Sequence, residues 1–85
     1  MVTYRRFHRV LQSLGLTIEV SRGAWVCVHE TYGVLHAFPI LPLDDEVRWY
    51  HMASMAALLD GFGVVDRKEF EAMLPPNPND LGDLM

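Results

Sequence analysis

Three short apolar segments, separated by glycine-containing turns, constrain the fold of this chain more than any other feature. The segments cover residues 16–20, 24–30 and 34–41. Alternating side chains are typical of strands, and Gly23 and Gly33 can adopt the positive φ that tight turns require. The spacing therefore predicts a three-stranded antiparallel meander. Because Pro39 and Pro42 lack a backbone donor, the third strand is expected at an edge of the sheet.

Helical periodicity flanks these strands on both sides. Between Phe7 and Leu14 the apolar side chains recur at helical spacing, and Thr3 stands where an N-cap is needed. The same spacing predicts a second helix that ends at Asp60 and a short third helix that follows Asp66. The expected fold is α+β: a two-layer α-β-β-β-α sandwich, with the helices on one face of a three-stranded antiparallel sheet.

The second and third predicted strands are apolar on both faces, which is unusual for a sheet with helices on one side. Strict alternation puts Trp25 and Cys27 on one face of the second strand, and Val34 and Phe38 on one face of the third. These four residues are therefore predicted to lie in an interface. We expect this second face to be covered by the C-terminal segment, by a second copy of the chain or by a different protein.

Length and composition predict one domain. A chain of 85 residues with 51% hydrophobic and 21% charged residues is too apolar for a disordered segment. We expect the domain over residues 1–74 and a loosely ordered tail, rich in proline and asparagine, over residues 75–85. The sequence has no apolar run of membrane-spanning length and no signal-peptide core, and Cys27 has no second cysteine with which to pair. These features predict a cytoplasmic protein without a membrane partner.

Charge is divided unevenly along the chain. The net charge of −4 argues against broad nucleic-acid binding. Residues 1–22 nevertheless carry about +3, whereas the remainder carries three cations against ten acids, about −7. Arg5, Arg6 and Arg9 share the polar side of the first predicted helix, where they could bind RNA or another anion. The alternative is an ordinary solvated helix face.

The order of these elements resembles that of the HicA-like (YcfA-like) family of toxin–antitoxin systems. The similarity covers about residues 3–74 and rests on Leu14-Gly15-Leu16, on Gly23 and Gly33, on Pro39, and on the run from Leu58 to Phe70. The resemblance implies a fold like that of double-stranded-RNA-binding domains and an antitoxin-like protein as a partner. It also implies an endoribonuclease activity directed at mRNA.

The family's catalytic signature is altered in this chain. The resemblance places a Gly-Ser-His motif at the start of the second strand, where the histidine transfers protons during RNA cleavage. Here the motif reads Gly23-Ala24-Trp25, and an indole does not exchange protons at neutral pH. We therefore expect a non-catalytic protein that binds a second copy, an antitoxin-like protein or RNA. The alternative is an mRNA interferase in which His29, with His36, replaces the missing histidine.

Other chemistry has little support in the sequence. His8 and His51 lie at the edges of predicted apolar helix faces, and no spacing of histidine and acidic residues fits a metal site. Gly61-Phe62-Gly63 lacks the further glycine and the lysine of a phosphate-binding loop. We expect no metal and no cofactor.

Overall fold

A computed structural model describes residues 1–74, so the loosely ordered tail predicted for residues 75–85 lies outside the described residues. The elements are α1 (Tyr4–Ser13), β1 (Leu16–Ser21), β2 (Ala24–His29), β3 (Gly33–Pro39), α2 (Trp49–Gly61) and α3 (Arg67–Met73). The strands form one antiparallel sheet in the order β1-β2-β3. The α+β architecture predicted from the sequence is confirmed, with β3 at an edge.

Local signals in the sequence set the helix and strand boundaries. The Thr3 hydroxyl accepts a hydrogen bond from the Arg6 backbone N–H at 3.2 Å and caps α1. The Asp66 carboxylate accepts one from the Lys68 N–H at 2.8 Å and caps α3 in the same way. Between β1 and β2, Gly23 has a φ of +77°, which a side chain would strain.

The core lies between the helices and one face of the sheet. Fully buried aromatic side chains come from α1, from β3 and from α3, as Tyr4, Phe7, Phe38 and Phe70. Aliphatic and sulfur-containing side chains, chiefly Leu11, Cys27, Met55 and Leu59, fill the space between the aromatic rings. Burial of this apolar surface is the main source of stability for a domain of this size.

A β-bulge in β3 overturns one expectation. Cys27 is opposite His36, and Val28 is opposite Val34, so Leu35 is an extra residue on β3. The bulge lets both Leu35 and Phe38 point into the core, while the Val34 side chain is 65% exposed. Strict alternation, which placed Val34 on the same face as Phe38, is therefore wrong for this strand.

Apart from Glu19, the outer face of the sheet carries small and β-branched residues. It consists of Thr17, Glu19, Ala24, Val26, Val28, Val34 and Ala37, which are half-buried or exposed. Within residues 1–74 no helix packs on this face, because the buried partners of all three helices belong to the opposite face. Among the same residues, no helix has the length and apolarity needed to cross a bilayer.

Candidate functional site

The side chain of Trp25 lies inside the molecule, at the position where the resemblance implies a solvent-facing histidine. Its indole is 8% exposed and packs on the Tyr4 ring, with centroids 5.6 Å apart. The His8 ring meets the indole edge-on at 4.3 Å. Residue 25 of β2 therefore serves as a packing partner of α1, and a solvent-facing proton-transfer group is absent at this position.

A buried hydrogen bond joins the N-terminal ends of α1 and α2 beside this indole. The Tyr4 hydroxyl lies 2.8 Å from Nδ1 of His51, and the Arg48 backbone N–H donates to the same hydroxyl at 3.3 Å. Because the phenol oxygen accepts from Arg48, its own proton is directed at His51 Nδ1. We therefore assign the neutral His51 tautomer that carries its proton on Nε2.

His36 belongs to the same cluster. Its ring meets Phe38 at 4.7 Å, and Phe38 in turn meets His51 at 4.8 Å. Burial lowers the pKa of His36. The pKa of His51 is lowered by burial, and further by the positive charges of His36 and Arg48. A positive charge on His36 thus opposes protonation of His51.

The structure pairs the histidines differently from the sequence hypothesis. The alternative catalytic pair was His29 with His36, but the nearest ring to His29 is Tyr32, stacked at 4.9 Å. The backbone N–H groups of Thr31 and Tyr32 point at His29 Nδ1, at 3.1 and 3.4 Å. His36 is linked instead to His51, through the Phe38 ring that both imidazoles contact. The participation of His51 was not anticipated, because no local pattern marks a contact between residues 47 positions apart in the sequence.

The three arginines of α1 have distinct surroundings. Arg5 forms an ion pair with Asp44 at 3.2 Å, and Arg6 donates to the Met73 carbonyl at 3.1 Å. Arg9 is exposed and, with Arg6, lines a shallow groove of about 330 Å³ between α1 and Met73. Two of these cations thus make contacts within the fold, and RNA binding by Arg5, Arg6 and Arg9 stays a prediction.

The proposed interface residues need a correction. Trp25, Cys27 and Phe38 lie in the core at 8%, 0% and 1% exposure, covered by the chain's own helices. Burial also raises the pKa of the Cys27 thiol to about 11, so it is not a reactive thiolate at neutral pH. Of the four residues, Val34 alone presents its side chain to solvent. The face that strict alternation assigned to a partner is the one the helices occupy.

A different aromatic residue is the most accessible one. Trp49, at the start of α2, is 75% exposed, and its neighbour Tyr50 is 50% exposed. Trp49 lies three residues before Met52, so helical periodicity alone would extend the buried stripe of the helix to its indole. The indole is exposed instead, because His51, four residues before Met55, takes the inward position in this turn. Shallow apolar grooves lie on both sides of the Trp49 indole.

The Tyr4 hydroxyl is predicted to contribute measurably to stability. In Tyr4→Phe, His51 Nδ1 and the Arg48 N–H both lose a partner, so we expect a loss of about 1–3 kcal/mol in urea unfolding. Tyr50→Phe, which alters an exposed phenol of the same turn, should change stability by less than about 0.5 kcal/mol. Equal effects of the two substitutions would contradict the assignment.

Any inference about function rests on the geometry, because comparisons with known proteins found no match. No family model, no curated protein and no solved structure matches this chain. Within residues 1–74, no three histidine, cysteine, aspartate or glutamate side chains are grouped so that they could hold a metal ion. Within residues 1–74, two features are considered for function: the cluster of Tyr4, half-buried His36 and buried His51, and the exposed surface around Trp49.

Proposed function

We propose that this chain is a cytoplasmic protein-binding domain on a HicA-like scaffold, without the RNA cleavage that the resemblance implies. The observation that supports it is the burial of Trp25 at the signature position, between Tyr4 and His8. A catalytic histidine at that place needs access to the RNA backbone, and this side chain has none. A fold does not carry a chemistry whose essential group is replaced.

A protein is a better-supported partner than RNA. The chain is acidic overall, which disfavours contact with phosphates, and Arg5 and Arg6 are engaged within the fold. Exposed aromatic side chains on a rigid helix are typical of protein interfaces, and Trp49 and Tyr50 supply two of them. The partner is an antitoxin-like protein or a second copy of the chain.

One observation favours a second candidate function, RNA cleavage. His36 and His51 are close enough for their charges to interact, and Tyr4 orients one of the two rings. One imidazole could remove the proton of a 2′-hydroxyl while the other protonates the leaving 5′-oxygen. However, burial lowers the pKa of both rings, which disfavours the protonated form that the acid role requires.

An RNA assay distinguishes these two functions. Purified protein is incubated with single-stranded and hairpin RNA at about 0.1 M salt, and both cleavage and retention are followed. We expect no time-dependent fragments from the wild type, and none from His29→Ala, His36→Ala or His51→Gln. Cleavage by the wild type that is lost in His36→Ala and in His51→Gln, with the fold intact, would overturn the proposal in favour of a ribonuclease. Loss of RNA cleavage in His29→Ala alone would instead support the alternative catalytic site that was expected from the sequence.

A further inference from the structure

The exposed indole of Trp49 stands between two shallow grooves. One groove, of about 320 Å³, is lined by Val2, Met52, Ala53, Glu71 and Leu74, and the other, of about 310 Å³, by Glu46, Val47, Arg48 and Met52. Trp49 and Met52 line both grooves. We call these residues together the Trp49 surface. Its grooves have the size to hold an apolar side chain on either side of the indole.

The backbone that carries the Trp49 indole is held in place before any partner binds. Trp49 is the first residue of α2, and the hydrogen bonds of Arg48 and His51 to the Tyr4 hydroxyl tie this turn to α1. Nearby, an isolated β-bridge joins Thr3 to Glu46, and the Val47 N–H donates to the Val2 carbonyl at 2.8 Å. A contact residue held by such a scaffold loses little conformational entropy on binding.

The charged residues that line this surface are two carboxylates and one cation. Glu46 and Glu71 each line one groove, both are exposed, and within residues 1–74 neither carboxylate forms an ion pair. Asp45 precedes Glu46 in the same loop, and Arg48 is the one cation among the lining residues named above. An apolar centre with a negative rim complements a partner segment that places lysine or arginine beside an apolar anchor.

We propose that the Trp49 surface is the docking site for a basic amphipathic segment of a partner protein, an inference that rests on the proposed function. An apolar side chain of the segment fills the groove between Trp49 and Leu74, and flanking cations meet Glu71 and Glu46. Trp49 is then the residue on which affinity chiefly depends, and the carboxylates set the preference for a basic partner and its sensitivity to salt.

A pair of matched peptides tests this surface directly. The probes are a short synthetic amphipathic peptide of lysine and leucine, and a twin in which glutamate replaces every lysine. Each is titrated into the full chain while backbone amide NMR signals are recorded. We expect the lysine peptide to shift signals of Val2, Met52 and Glu71, and Trp49→Ala to weaken its binding by about tenfold or more. Val34→Ala, an exposed apolar residue on the sheet, is the control that leaves affinity unchanged.

Charge reversal tests separately whether the carboxylates of the Trp49 surface set the preference for a basic partner. Glu46→Lys combined with Glu71→Lys should shift binding from the lysine peptide to the glutamate twin. The inference is overturned if no peptide binds, if both wild-type affinities are equal, if Trp49→Ala binds as tightly as the wild type, or if the shifts map to the outer sheet face. Failure by any of these routes removes the Trp49 surface as the docking site but leaves the absence of RNA cleavage untouched, because the RNA assay decides that part of the proposed function.

Discussion

Trp25→Ala is expected to lower the free energy of unfolding by about 3–5 kcal/mol, the usual cost of removing a buried aromatic side chain. The indole is 8% exposed and contacts Tyr4 and His8, so its removal leaves a cavity between α1 and β2. A loss of this size is a large part of the stability of a small domain. Urea unfolding followed by far-ultraviolet circular dichroism measures it.

The chain provides a matched control for that substitution. Trp49→Ala removes the same side chain from a position that is 75% exposed, so we expect a change of no more than about 0.5–1 kcal/mol. The informative quantity is the difference between the losses of unfolding free energy in Trp25→Ala and in Trp49→Ala. Similar losses in the two variants, or a greater loss at Trp49, would mean that the assignment of buried and exposed indoles is wrong.

The second large effect is a loss of stability in mild acid. Burial lowers the folded-state pKa of His8, His36 and His51 below the ordinary value of 6.5. As the pH falls below about 6.5, the unfolded chain therefore binds protons that the folded chain does not yet bind. Stability is complete above that pH and declines below it, by up to about 1.4 kcal/mol per pH unit for each such histidine.

A single variant tests the contribution of the buried cluster. His51→Gln cannot be protonated, and its amide oxygen can still accept from the Tyr4 hydroxyl, so its stability should fall less steeply with acid than that of the wild type. Unfolding midpoints at about pH 7.5, 6.5 and 5.5 give the slope for both proteins. A wild-type stability that is flat or rises across this window would contradict the linkage.

Much of the fold is readable from local sequence, because its signals are local. Thr3 and Asp66 cap helices as expected, and Gly23 turns the chain where a positive φ is needed. The bulge at Leu35 could not be foreseen, since an inserted residue in an apolar strand leaves no periodic mark. The prediction of which face of β2 turns inward was wrong, because both faces are apolar and the packing of α1 on Trp25 is a tertiary contact that local sequence does not mark.

The candidate sites depend on tertiary contacts, so local sequence patterns could not predict most of them. Tyr4 and His51 meet although 47 positions separate them, and His36 joins them through Phe38. The exposure of Trp49 follows from the rotation of α2, which directs His51 towards the core. Helical periodicity counted back from Met52 would bury Trp49, but first-turn residues are held by contacts outside the helix, which periodicity does not describe.

The most direct test of the account is the solvent accessibility of the two indoles, one at a time. Trp49→Phe leaves Trp25 as the fluorescent reporter, and Trp25→Phe leaves Trp49. We predict that acrylamide quenches Trp49 severalfold more strongly than Trp25, because the first is 75% and the second 8% exposed. Quenching of Trp25 as strong as that of Trp49 in a folded variant would contradict the account. Residue 25 would then lie at the surface, where the resemblance to the HicA-like family implies a catalytic histidine.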